Sequence, residues 1–156
     1  MEAKNKIANR ELTLTRIINA PRKLVWEAWT DVKHIKQWWG PKLFTNPLCE
    51  WEAKEGNKIL VHMQAPDGTL YPMGGEFIEI KKPECLIFKT SALDKSGNPL
   101  FDQMNVVTFI EQGNKTKLTV HVKVSKVVPE AEPYMTGMNE GWNSSIDKLE
   151  EYLKTK

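Results

Sequence analysis

The chain has little cysteine, little histidine and no long apolar run. Its two cysteines, Cys49 and Cys85, have no metal-ligand spacing, and each sits inside an apolar strand pattern. They read either as a disulfide or as a pair of reduced core thiols, and the second reading fits a cytoplasmic protein. The three histidines, His34, His62 and His121, are too few and too scattered to converge on a metal. No stretch approaches eighteen apolar residues, which excludes a membrane-spanning helix. Charges of one sign never run to five. With 22 basic and 20 acidic residues interspersed and a net charge of +2, nothing marks a nucleic-acid tail or a polybasic membrane anchor. The opening MEAKNKIANRE lacks the apolar region of a signal peptide and is expected to be a polar lead-in over residues 1–10. There is no P-loop, dinucleotide fingerprint, internal repeat or low-complexity segment.

What is present is an ordinary globular composition, 40% hydrophobic and 27% charged over 156 residues. One domain over residues 11–156 is expected, long enough to bury a real core. Tryptophan is the exception to the ordinary. Trp26, Trp29, Trp38 and Trp39 fall within RKLVWEAWTDVKHIKQWWGP, residues 22–41. Pro21 suits the start of a helix, and Val25, Trp26 and Trp29 share its apolar face. Asp31 can cap a second short helix, in which Ile35, Trp38 and Trp39 share a face, and Gly40-Pro41 stops it. Aromatic residues at helical spacing are usually core, and some of these rings can also line a cavity.

Strands are expected at residues 11–19, 43–51, 57–65, 70–80, 84–91, 101–111 and 115–124, from alternation and β-branched content. The second is bent at Pro47 and belongs at an edge. SALDKSGNPL reads as a longer polar loop. Pro66-Asp67-Gly68 reads as a turn with Gly68 at positive φ. This register sets Met63 against Tyr71, Val61 against Met73 and Ile59 against Gly75. A two-residue turn at Lys82-Pro83 sets Phe77 against Phe88 and Glu79 against Leu86. One face then collects Ile59, Val61, Met63, Tyr71, Met73, Phe77, Leu86 and Phe88, while Leu60, His62, Gln64, Glu76 and Lys89 take the other. A slip of one residue would scatter this sorting. In the last hairpin Phe109 meets Leu118 and Val107 meets Val120. Gly74-Gly75, inside a strand, reads as a bulge or a close backbone approach.

The last 25 residues read as a helix. Its apolar stripe runs through Ala131, Met135, Met138, Trp142, Ile146, Leu149 and Leu153 at steps of three and four. Pro129 and Pro133 fall in its opening turns. Gly137 and Gly141 weaken it beside Met138, which suggests a close approach there. Such a helix on one face of a curved antiparallel sheet, with two short helices after the first strand, is an α+β architecture.

Ala20-Pro21, Val25-Trp26, Ala28-Trp29, Trp38-Trp39-Gly40-Pro41, Pro66-Asp67-Gly68, Gly75 through Ile80, Thr116-Lys117-Leu118, Gly141-Trp142, Leu149 and Tyr152-Leu153 occur in an order that resembles a known family. The chain is similar, over residues 10–154, to the helix-grip, START-like superfamily that includes Bet v allergens and polyketide cyclases. Within it, the chain resembles the family named after the C-terminal domain of the heat-shock-protein-90 ATPase activator. One departure is Cys85, where that family usually has arginine. The resemblance implies a helix-grip fold of about six to seven strands, with a cavity between the long helix and the sheet that is often used for apolar ligands, and a role in stress response.

No catalytic constellation is visible. The histidines read as surface residues, and Ser144 and Ser145 as helix surface without a supporting base. Gln103 and Asn105 share the inward face of Val107 and Phe109. Either they bond to loop backbone and water, or they orient a ligand. Arg16, between Leu14 and Ile18, needs a carboxylate, with Glu79 or Glu76 as candidates. The expected function is binding of an apolar or aromatic small molecule or lipid, with no cofactor and no metal. The cavity is expected to be lined by Trp38, Trp39, Met73, Phe77, Phe88, Gln103, Asn105, Val107, Phe109, Met135, Met138, Trp142 and Ile146. A chaperone partner and a cyclase- or hydrolase-like enzyme are the alternatives, and the oligomeric state is left open.

Overall fold

The alternating ELTLTRII segment forms β1 (Glu11–Ile18), with Leu12, Leu14, Arg16 and Ile18 on the inward face. The computed structural model describes residues 10–156, so the lead-in expected over residues 1–10 lies outside them except for Arg10. After β1 the chain forms α1 (Arg22–Thr30) and α2 (Val32–Trp38). It then makes an antiparallel meander of β2 (Thr45–Trp51), β3 (Lys58–Gln64), β4 (Leu70–Lys81), β5 (Cys85–Leu93), β6 (Pro99–Gln112) and β7 (Lys115–Ser125). β1 closes beside β7, which gives one seven-stranded sheet of order β1-β7-β6-β5-β4-β3-β2. The two short helices therefore carry the chain from one edge of the sheet to the other. A 3-10 turn at Pro129–Ala131 leads into α3 (Glu132–Leu153). Helix and curved sheet make the α+β helix-grip arrangement.

Local chemistry accounts for the boundaries. Pro21 stands one residue before α1, with its carbonyl taking the Val25 N–H at 3.1 Å. The Asp31 carboxylate accepts from the Lys33 N–H at 2.9 Å and caps α2. Gly68 sits at φ +91°, and Met63 faces Tyr71, Val61 faces Met73 and Ile59 faces Gly75. The last hairpin pairs Phe109 with Leu118 and Val107 with Val120. At Gly75 the backbones of β4 and β5 come so close that a Cβ would overlap the Lys89 carbonyl.

Two strand expectations change. Phe77 does face Phe88, but Glu79 faces Ile87 and Ile80 faces Leu86. Ile78 is inserted as a bulge and turns outward, 43% exposed. The β2–β3 loop explains the break: Gly56 N–H and Asn57 O engage the Phe77 backbone, and Glu55 accepts from the Ile80 N–H. The segment SALDKSGNPL is not a long loop. β5 runs on to Leu93 and β6 begins at Pro99. Between them the Asp94 carboxylate accepts from the N–H groups of Ser96 and Asn98, which closes a tight hairpin.

Arg16 also finds other partners. Its guanidinium donates to Asp147 at 2.8 Å, Glu150 at 2.7 Å and Asn143 at 3.0 Å, all on α3. Glu76 and Glu79 pair instead with Lys58 and Lys81. Three strands separate β1 from β4, so those carboxylates are out of reach. The core is aromatic. Trp29 meets Trp38 edge to face at 4.7 Å, Trp26 meets Phe109 at 5.1 Å, and Trp51 meets Phe77 and Phe88 at 5.3 Å each. The indole N–H groups of Trp38 and Trp51 donate to the carbonyls of Ala28 and Trp29.

Candidate ligand groove

The apolar stripe of α3 divides in two. Ile146, Leu149 and Leu153 are buried in the core, and at the N-terminal end Met135 is buried too. Gly137 is exposed and Gly141 half-buried, and a Cβ at either would meet nothing within 4 Å among the described residues. The close approach expected there is absent. The glycines border open space.

That space is a groove of two adjoining chambers that share Pro41, Met63, Met73 and Gln103 as walls. The narrow chamber, about 160 Å³, is completed by Trp39, Gly40, Met138, Gly141, Trp142 and Ser145. The wide chamber, about 370 Å³, is completed by residues including Phe44, Tyr71, Leu93, Phe101, Tyr134 and Gly137. Among the described residues, neither chamber is lined by Asp, Glu, Lys, Arg or His. The walls come from strand parity. Phe101, Gln103 and Asn105 alternate inward along β6, and Met63 and Met73 inward along β3 and β4.

Of the residues expected to line a cavity, Trp39, Met73, Gln103, Met138 and Trp142 border the groove. Trp38, Phe77, Phe88, Asn105, Val107, Phe109, Met135 and Ile146 do not; they are buried in the packed core. The tryptophans of α1 and α2, together with Trp51, fill the space over those strands. Asn105 donates to the Phe88 carbonyl at 3.1 Å and to Thr90 Oγ1 at 3.0 Å. Among the described residues its Oδ1 is buried without a partner, as is the Trp29 indole N–H. Gln103 reaches the same Thr90 hydroxyl at 3.4 Å.

Several groove residues escape a sequence reading. Met63 and Tyr71 had the correct face and only needed an open neighbour. Phe101 opens the strand expected over residues 101–111, and two-residue parity with Gln103 points it to the inward face. Ser145 is buried, its hydroxyl donating to the Gly141 carbonyl, rather than on the helix surface. His34 is tied to the Tyr152 hydroxyl at 2.6 Å.

A loop from Trp39 to Phe44 walls the groove. Lys148 of α3 donates to the carbonyls of Trp39, Pro41 and Phe44 at 3.4, 3.2 and 3.1 Å. Burial pushes its ammonium below the ordinary lysine value. Ser144 accepts from the Lys42 N–H at 2.7 Å. Leu43 at the loop tip is 71% exposed and at φ +72°, an uncommon backbone state for leucine. A separate concavity of about 920 Å³ is lined by charges of both signs, among them Glu27, Asp31, Lys54 and Lys58, and by Cys49. Burial raises the Cys49 thiol to about 11. Cys49 and Cys85 are both free. Among the described residues, no helix is long and apolar enough to cross a membrane, and no cluster of three or more His, Cys, Asp or Glu could hold a metal ion.

A long helix gripped by a curved antiparallel sheet, with an uncharged groove between them, defines a helix-grip domain. The chain belongs to the family described as Activator of Hsp90 ATPase homolog 1-like protein, whose model matches residues 19–154. Among solved structures it is similar to a protein from Nitrosomonas europaea, at 28% identity and TM-score 0.78, covering 93% of this chain and 94% of that one. It is also similar to a protein from Arthrobacter aurescens, at 25% identity and TM-score 0.83, covering 94% and 87%. A third, from Mycobacterium smegmatis, has 26% identity and TM-score 0.75, covering 92% and 90%. No curated protein matches the chain.

Proposed function

We propose that the chain binds a small apolar or amphipathic molecule in the groove between α3 and the sheet. The observation that carries this reading is the space beside Gly137 and Gly141, faced by Met63, Met73 and Met138. Glycine in a helix interior costs about 1 kcal/mol relative to alanine. Here that cost keeps a groove open instead of admitting a neighbour. Methionine adapts to irregular ligand shapes. A ligand burying about 400 Å² of apolar surface would gain about 10 kcal/mol. Lost freedom offsets at least about 4 kcal/mol of that, which leaves an affinity in the range of tens of micromolar. Such an affinity suits reversible capture better than a permanently held cofactor.

Titration with apolar probes, followed by tryptophan fluorescence, tests the reading. Trp39 and Trp142 wall the narrow chamber and should report occupancy. Gly141→Leu should abolish the response in a protein that remains folded. An undiminished response in that variant places binding elsewhere. A chaperone partner rests on the family description, and stimulation of a heat-shock ATPase by the purified protein tests it.

A further inference from the structure

We propose that the groove selects an uncharged amphipathic ligand, with a hydroxyl or amide head met by Gln103, over a carboxylate or phosphate of the same apolar body. This inference rests on the groove being a ligand site.

The first ground is the lining. Among the described residues, neither chamber is walled by a carboxylate, amine, guanidinium or imidazole. The nearby cations are directed elsewhere. Lys148 of α3 is turned to the backbone carbonyls of the Trp39–Phe44 loop. Lys89 and Lys126 lie near Asp102, which strand parity puts on the opposite face from Gln103. An anion drawn into the groove would lose water without meeting a counter-charge, a costly exchange.

The second ground is the polar side chain that the two chambers share. Gln103 borders both chambers, and its amide makes only a long contact, 3.4 Å, to Thr90 Oγ1. A primary amide carries both a donor and an acceptor, the match for a hydroxyl or another amide. Ser145 commits its proton to the Gly141 carbonyl, so it offers lone pairs alone, which favour a donor on the ligand. Behind Gln103 on the same strand face, Asn105 Oδ1 is an acceptor buried without a partner among the described residues. Its Nδ2 is fixed on the Phe88 carbonyl, so an amide flip cannot remedy this. One acceptor of this row, Asn105 Oδ1, thus lacks a donor among the described residues.

The test compares 1-decanol with decanoate on the whole chain at neutral pH, read by tryptophan fluorescence and by displacement of an apolar dye. The alcohol should bind at least about tenfold more tightly. Decanoate should gain affinity as the pH falls and its own carboxyl takes up a proton. Gln103→Lys, checked for folding by thermal unfolding, should raise decanoate affinity and lower that of the alcohol. Decanoate binding as tightly as the alcohol at neutral pH overturns the inference. If Gly141→Leu blocks both equally tight ligands, the groove stands and only the charge selection falls. If the protein takes up neither ligand nor dye, the groove reading fails and this inference with it.

Discussion

Trp39 and Trp142 meet edge to face, with ring centroids 5.6 Å apart and planes at 87°. Trp39 also packs on Trp51 at 5.1 Å, so the end wall of the groove is the outer layer of the aromatic core. Trp142→Ala should therefore cost about 3 kcal/mol or more. Trp142→Phe, which keeps an aromatic edge against Trp39, should cost markedly less. Denaturant unfolding of the two variants checks the order.

The glycines of the chain should respond to alanine in opposite directions. Gly141→Ala adds a methyl where nothing lies within 4 Å and should stabilise α3 by up to about 1 kcal/mol. Gly75→Ala would drive its Cβ into the Lys89 carbonyl, and a loss of more than about 3 kcal/mol is expected. Thermal unfolding of the pair separates the two cases.

Lys148 holds the groove loop by three carbonyls and by no carboxylate within salt-bridge distance among the described residues. Lys148→Met keeps the stem and removes the donors, and should cost about 1–2 kcal/mol. Amide exchange should accelerate in residues 40–46 and stay slow in the central strands. Unchanged exchange in that loop would mean that Ser144, which accepts from the Lys42 N–H, and Asn46, whose Nδ2 donates to the Trp39 carbonyl at 2.9 Å, suffice to hold it.

Cys49 should be sluggish and its contribution to stability should fall at high pH. With the thiol raised from 9.0 to about 11, alkylation at pH ~8 should run roughly a hundredfold slower than for an unperturbed thiol. Between those two values the unfolded chain releases the proton that the folded chain retains. Stability therefore drops with rising pH across that window. Cys49→Ala should show a shallower decline than the parent, read from denaturation midpoints at stepped pH.

Much of this was legible in the chain, and what was not has physical causes. Gly68 sets the β3–β4 turn, and the turn sets every face from Ile59 to Met73, because strand parity leaves no intermediate choice. The stripe of α3 is equally plain from its spacing. The bulge at Ile78 is not, since its cause is hydrogen bonding from a loop twenty residues earlier. The partners of Arg16 lie more than 120 residues away on α3, a distance over which local pattern carries no information. The site suffered from one competition that periodicity cannot see. Inward residues such as Phe77, Phe88 and Val107 carry the same signal as groove residues, and only the placement of Trp29, Trp39 and Trp51 decides which of them are covered.

The most direct measurement of the central claim is methyl NMR of the methionines during titration with an apolar ligand such as 1-decanol. Met63, Met73 and Met138 wall the groove, whereas Met104 stands on the outer face of the sheet, 39% exposed. The account predicts saturable shifts of Met63, Met73 and Met138 with Met104 unmoved. Shifts confined to Met104, or none that saturate at the three groove methionines, would contradict it.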